Sequence, residues 1–305
     1  MTWGVADIGD PTGRTFVVTG CTSGIGQHTV IGLARHGARV VLAARSADKI
    51  TDTAAVIRRE VPDADLEQVV VDLSDLDSVR HAAAEVARLG PIDVLVNNAG
   101  IMAVPLRRTV EGLESHMATN HFGPFLLTGL LLPRVTAAGG RVVTVSSGMH
   151  KAARQAPLGD PYRQEGRYRR WQVYGQTKLA NLLFTFELDR RCRAAGLPVT
   201  ALAAHPGFAG THLVVNGQFG RARGGPASIL DAAVKAVSQS AAAGAWPTLM
   251  AATADLPGST YVGPSGLGEM SGTPQVVAPR RLALNREAQR RLWEISEEVT
   301  SITYP

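Results

Sequence analysis

Cysteine is scarce in this chain. Cys21 and Cys192 are the only two in 305 residues, which excludes a disulfide framework and a thiolate metal site and fits a reducing cytoplasm. Eight histidines are present, but no pair has metal-ligand spacing, so His150, His205 and His212 read as surface or packing residues. Aromatic residues make up 5% of the chain. No apolar run reaches bilayer length, because the most apolar stretch, 122–132, is short and broken by glycine and proline. The N-terminus has no basic segment followed by an apolar one, which reads against a secretory signal. Charge of one sign is not dominant either. The formal net charge is +5, which reads as surplus surface arginine and not as a nucleic-acid footprint.

Short β-branched runs alternate with longer helical patterns. Strands are expected at 15–19, 39–43, 66–71, 93–96, 141–146 and 199–204, with a last one at 261–264. Helices are expected at 24–36, 47–59, 75–88, 111–135, 171–195 and 227–243. Runs such as Val40-Val-Leu-Ala and Val142-Val-Thr-Val are apolar on both faces, as in a parallel sheet covered by helices on each side. The predicted fold class is therefore α/β, a doubly wound parallel sheet of Rossmann type with helices on both faces. No linker divides the chain, so residues 1–305 are expected to form a single domain.

A glycine-rich turn, Thr19-Gly20-Cys-Thr-Ser-Gly24-Ile-Gly26, follows the first strand and opens the first helix. Gly20 permits the tight turn, Gly24 lets backbone approach a pyrophosphate, and Gly26 lets helix pack on strand. The helix N-terminus then offers free N–H groups to the phosphate charge. Cys21 sits in this turn as a small filler. The second strand ends Ala43-Ala44-Arg45-Ser46, with no carboxylate until Asp48. A ribose 2′-hydroxyl would lack its acceptor there, whereas Arg45 could hold a 2′-phosphate. The expected cofactor is NADP(H) in preference to NAD(H).

Tyr174 and Lys178 are four residues apart and share one helix face. An ammonium near a tyrosine favours the phenolate, so the Tyr174 pKa is expected to fall towards the neutral range. Pro124 lies inside the expected helix 111–135, four residues after Asn120. Proline has no N–H for that carbonyl and kinks the helix. The freed acceptor would either anchor a water or only mark a kink that suits the fold.

Taken together, these motifs resemble the short-chain dehydrogenase/reductase family, over about residues 13–265. The matching pieces are the glycine turn at 19–26, Asp72-Leu73, Asn97-Asn98-Ala99-Gly100, Asn120, Val145-Ser146-Ser147, Tyr174 to Lys178 and His205-Pro206-Gly207. Thr119-Asn120-His-Phe-Gly and Lys178-Leu-Ala-Asn181 are similar to its retinol-dehydrogenase-like and protochlorophyllide-reductase-like members. The resemblance implies that Tyr174 is the general acid/base and that Lys178 binds the nicotinamide ribose and lowers the Tyr174 pKa. Ser147 would hold the substrate oxygen, Asn120 a relay water. Ser146 would be structural. Cofactor contacts are implied at Gly20, Thr22, Ser23, Gly24, Ile25 and Gly26 of the turn, and at Arg45, Asp72 and Leu73. Asn98, Ala99 and Gly100 would follow, with Tyr174, Lys178, Pro206, Gly207 and Thr211 completing the set.

Some segments carry other expectations. Arg154, Arg163, Arg167, Arg169 and Arg170 make the stretch before Tyr174 basic, most simply as a solvated loop, otherwise as a lining for an acidic substrate or a contact with a membrane surface. Residues 208–228 stand where the family carries a substrate lid, and Phe208, Leu213, Val214, Val215 and Phe219 would give it an apolar edge. A C-terminal extension covers about 265–305. The two long helices, 111–135 and 171–195, are the family's usual pairing surfaces for a homo-oligomer. The activity these signals imply is NADP(H)-dependent interconversion of hydrophobic ketones or aldehydes and alcohols. The alternatives are an NADP(H)-sensing regulator without catalysis, and an epimerase or dehydratase on the same fold.

Overall fold

The computed structural model describes residues 3–155, 168–207 and 239–305. Eight strands form one sheet in the order β3-β2-β1-β4-β5-β6-β7-β8. They are β1 (Thr15–Thr19), β2 (Arg39–Ala44), β3 (Leu66–Val70), β4 (Val94–Asn97), β5 (Arg141–Val145), β6 (Thr200–Ala204), β7 (Tyr261–Pro264) and β8 (Pro274–Val276). All neighbours pair in parallel except β7 and β8, where Val262 lies opposite Val276. Every residue of β1 and β4 is buried, as the unbroken apolar runs require. Strand order reverses at β1, which lies between β2 and β4. A crevice opens at the carboxyl ends of the strands at such a reversal.

Helices α1 (Gly24–Ala34), α2 (Ala47–Glu60) and α3 (Leu76–Ala87) follow the first three strands. Ser46 caps α2 by accepting from the Lys49 N–H, and Asp75 caps α3 by accepting from Asp77 and Ser78. Such caps take up backbone N–H groups that the first turn leaves unpaired. Two apolar layers result. On one face Val30, Leu33, Ile50 and Ile57 pack with Phe16, Val18 and Leu42 of the sheet. On the other, Phe122, Phe125, Leu179 and Leu183 pack with Val17, Leu95 and Val142.

The helix expected over 111–135 begins later. Gly112 takes a left-handed conformation, φ 78°, and the Gly112 N–H closes a turn on the Thr109 carbonyl at 3.0 Å. Glu114 then caps the first helical turn, its carboxylate accepting from the His116 and Met117 N–H groups. The helical stretch runs from α4 (Ser115–Met117) through a π-turn (Ala118–Phe122) into α5 (Gly123–Ala137). In the π-turn the Gly123 N–H reaches back five residues to the Ala118 carbonyl. Pro124, lacking an N–H, falls at the start of α5, where proline is best tolerated. The irregularity expected around Asn120 is thus present, as a widened turn.

Helix α6 (Arg170–Ala194) comes before β6. Most of the helix expected over 227–243 lies outside the described residues. The described helix there is α7 (Ala241–Thr253), which packs on α1: a Cβ on Gly32 would sit 2.8 Å from Leu249. Strand β8 and helix α8 (Arg286–Thr300) had no counterpart in the sequence reading. The C-terminal segment covers its own chain. Trp293 of α8 lies 5.9 Å from Phe184 of α6 and 5.0 Å from Phe125 of α5, ring to ring. The Tyr304 hydroxyl donates to the Phe125 carbonyl at 3.1 Å. No described helix is long and apolar enough to cross a membrane.

Candidate active site

Residues gathered from the carboxyl ends of β1, β2, β4 and β5 line a cavity of about 330 Å³. The glycine turn forms its floor. Gly20 has φ 66°, and a Cβ there would stand 2.7 Å from the Ala99 Cα. A Cβ on Gly26 would stand 2.3 Å from the Gly20 carbonyl oxygen and 2.5 Å from the Asn98 amide nitrogen. No side chain fits at either place, so the turn brings bare backbone to the cavity. Asn98 braces it from the next strand, donating to the Thr19 carbonyl at 2.8 Å and the Gly20 carbonyl at 3.2 Å. The Thr19 hydroxyl accepts from the Asn98 and Ala99 N–H groups at 3.0 and 3.1 Å.

Arg45 and Asp72 line the cavity, with their charged groups 3.9 Å apart. The Asp72 carboxylate also accepts from the Ser74 hydroxyl and N–H at 2.6 and 2.9 Å. The Arg45 side chain is 77% exposed, so its guanidinium can swing towards an incoming anion.

Tyr174 and Lys178 also line the cavity, and both are buried. The Lys178 ammonium lies 5.8 Å from the Tyr174 ring centre and donates to the Val145 carbonyl at 2.9 Å. The Ser147 hydroxyl is hydrogen-bonded to Tyr174 and accepts from the Met149 N–H at 3.2 Å. Ser146 is also on the cavity wall, with its hydroxyl donating to the Lys178 carbonyl at 2.8 Å. Asn120 has both ends of its amide engaged. Its oxygen accepts from the Ile101 N–H at 2.8 Å, and its nitrogen donates to the Ile101 carbonyl and the Thr177 hydroxyl at 3.0 Å each. The side chain therefore clamps the loop after β4 to α6.

The electrostatics correct one expectation. Burial pushes the Tyr174 hydroxyl up to about 12, and the Ser147 hydrogen bond only partly offsets it. Burial also brings the Lys178 ammonium down to about 8. The four-residue spacing places the cation near the ring as foreseen. Sequence spacing carries no account of the water both groups lose, and that desolvation sets the direction of both shifts.

The turn residues Gly20, Thr22, Ser23, Gly24, Ile25 and Gly26 all line the cavity, as do Arg45, Asp72, Leu73, Asn98, Ala99, Gly100, Tyr174, Lys178 and Pro206. Gly207 follows Pro206 with φ 65°, held by its N–H donating to His205 Nδ1 at 3.2 Å. Thr211 lies outside the described residues, with His212, Arg163, Arg167 and the expected lid at 208–228. His150 and His205 are buried packing residues and not surface ones. The sequence reading missed Ala43, Ala44, Val71, Ile101, Met102 and Thr119 on the cavity wall. Most of them adjoin a motif residue at a strand end, which is the signal that could have found them.

The floor of bare backbone and the pair of hydroxyls beside an ammonium fit a dinucleotide and a carbonyl or alcohol. A family model described as short chain dehydrogenase matches residues 14–218. The chain belongs to the short-chain dehydrogenase family. It is an oxidoreductase acting on CH–OH groups, in a family that binds NAD(P). This dehydrogenase is 34% identical to human retinol dehydrogenase 13 over 300 residues, 96% of this chain and 86% of that protein. It is 35% identical to mouse polyprenol dehydrogenase over 294 residues, 92% of this chain and 82% of that one. A crystal structure of an uncharacterised protein from Mycobacterium paratuberculosis matches over 100% of both chains, with 42% identity and a TM-score of 0.83. A protein from Beutenbergia cavernae, assigned as an NAD(P)-dependent gluconate 5-dehydrogenase and holding NADP at low occupancy, has 28% identity and a TM-score of 0.62. That match covers 79% of this chain and 90% of the other.

Proposed function

We propose that this dehydrogenase interconverts apolar ketones or aldehydes and their alcohols with NADP(H). The observation that carries the reading is Tyr174 and Lys178 together on the wall of a cavity whose floor is bare backbone, with the Ser147 hydroxyl hydrogen-bonded to Tyr174. The glycine turn and the first turn of α1 would hold the pyrophosphate, Arg45 the 2′-phosphate, and Lys178 the nicotinamide ribose. The bound nicotinamide supplies or receives the hydride. Ser147 donates a hydrogen bond to the substrate oxygen, and Tyr174 gives that oxygen its proton when a carbonyl is reduced. A hydroxyl held up at about 12 keeps its proton at neutral pH, which suits the acid role. Lys178, at about 8, is still largely charged at neutral pH and stabilises the phenolate left behind. Asn120 fixes the loop that carries Gly100 and Ile101 and is a positioning residue here. An apolar substrate is supported by Met102 on the cavity wall and by relatives named for retinol and polyprenol. Cys21 and Cys192 are both free and buried, which supports a reducing compartment such as the cytoplasm.

Tyr174→Phe tests the reading. The variant should bind NADPH within about twofold of the native protein and lose about a thousandfold in turnover of an apolar ketone such as acetophenone. Retained turnover would remove Tyr174 from its role. Lost NADPH binding would make it a structural residue.

A further inference from the structure

Three side chains beyond the reacting groups form a closed polar cluster. Glu114 and His116 are fully buried, and Tyr168 lies just ahead of α6. The Tyr168 hydroxyl donates to the Glu114 carboxylate at 2.7 Å and lies 2.8 Å from His116 Nδ1. His116 Nδ1 is itself 2.9 Å from the same carboxylate oxygen. His116 Nε2 accepts from the Val104 N–H at 3.2 Å. That bond leaves Nε2 without a proton, so the ring proton sits on Nδ1 and points at Glu114. Burial alone would raise the Glu114 pKa, but the hydrogen bonds from His116, Tyr168 and Met117 outweigh it and hold the carboxyl below its ordinary range.

The cluster acts on the loop that follows β4. Ala103 is buried with φ 49°, a left-handed conformation that alanine does not keep unaided. The loop is held on each side of it. Asn120 takes Ile101 by both backbone groups, and His116 takes Val104. Between these clamps stands Met102, which lines the same cavity as Tyr174. Asn120 reports to α6 through Thr177, and His116 reports to the segment entering α6 through Tyr168.

We propose that Glu114, His116 and Tyr168 are positioning residues that set Met102 as the apolar wall for the part of the substrate next to its carbonyl. They touch neither the reacting atoms nor the cofactor cradle. They govern how tightly a bulky apolar carbonyl is held. The kinetic part of this proposal rests on the activity proposed above; the positioning part does not.

The test uses the full chain in two arms. In the first, amide exchange is followed in native protein, Tyr168→Phe and His116→Asn, without substrate. Both variants should exchange residues 101–104 about tenfold faster, with α5 and the rest of the core unchanged. In the second, NADPH-dependent reduction of acetophenone is compared with that of acetone. Tyr168→Phe should raise KM for acetophenone about tenfold, as loss of a hydrogen bond to a charged group can do, and KM for acetone less than twofold. Its kcat, NADPH Kd and pH profile should stay near native. Met102→Ala should reproduce the KM split without faster exchange. Unchanged exchange in both cluster variants overturns the proposal. So does a fall in kcat and NADPH affinity with the KM ratio unmoved, which is the mark of general fold support. If native protein reduces neither ketone, the proposed activity fails, and the exchange arm still decides the positioning role.

Discussion

Lys178→Met should stabilise the cofactor-free protein while ending its turnover. Lys178 is buried, and burial lowers its pKa from 10.5 to about 8. At about 1.4 kcal/mol per pKa unit, holding the ammonium charged below pH 8 costs the fold about 3 kcal/mol. Methionine keeps the length of the apolar stem and drops the charge. It also drops the hydrogen bond to the Val145 carbonyl, worth about 1 kcal/mol net. That carbonyl keeps a second donor, the Asn181 amide at 3.1 Å, so nothing is orphaned. The expected gain is about 2 kcal/mol at pH 7. The direction with pH follows from the depressed pKa. Below pH 8 the native protein carries the full burden. Between pH 8 and 10.5 the folded state sheds the proton while the unfolded chain keeps it, so native stability climbs and the gap to the variant closes. Urea titration without cofactor reads this. The Lys178→Met midpoint should lie above native by roughly half a molar at pH 7 and coincide with it near pH 10. A lower midpoint at pH 7 refutes the reasoning. A gap that persists at pH 10 refutes it too, since packing and not charge would then be the cause. Stability is given up here at the position where the proposed chemistry calls for a cation.

Two further predictions follow from other parts of the molecule. Arg45→Ala should weaken NADPH binding by about 10- to 100-fold and leave NADH within about twofold; an equal change for both would make Arg45 only the partner of Asp72. Acid should unfold the protein early, because burial holds His121 down to about 3 and keeps His205 below its ordinary range although the Glu269 carboxylate opposes it. The folded state refuses these protons while the unfolded chain takes them near 6.5. The stabilisation is therefore whole above about pH 6.5 and drains away as pH falls, by about 2 kcal/mol for His121 at pH 5. The urea midpoint should drop between pH 7 and pH 5, and His121→Gln should flatten that drop; an unchanged slope would place the sensitivity elsewhere.

Much of this protein is legible along the chain because its signals are local. Apolar runs such as Val40-Val-Leu-Ala mark strands buried on both faces, and the spacing of Gly20, Gly24 and Gly26 marks a turn where side chains cannot fit. The tyrosine–lysine pair lies on one face because four residues make about one helical turn. Those features were enough to foresee the sheet up to β7 and the glycine turn of the cavity; Asp72, Leu73, Asn98, Ala99, Gly100 and Pro206 on its wall came from the resemblance to the family.

Other features depend on groups remote in sequence, and only the tertiary structure decided them. Helix α4 starts at Ser115 because Glu114 becomes a buried cap whose carboxylate also meets Tyr168, 54 residues on. Strand β8 is three residues long, too short to show a period, and forms because the edge of β7 awaits a partner. Tyr174 holds its proton more firmly than its neighbour Lys178 suggests, because packing strips water from both. Spacing sets which side chains can meet; the surrounding fold sets how much solvent remains, and with it their charge.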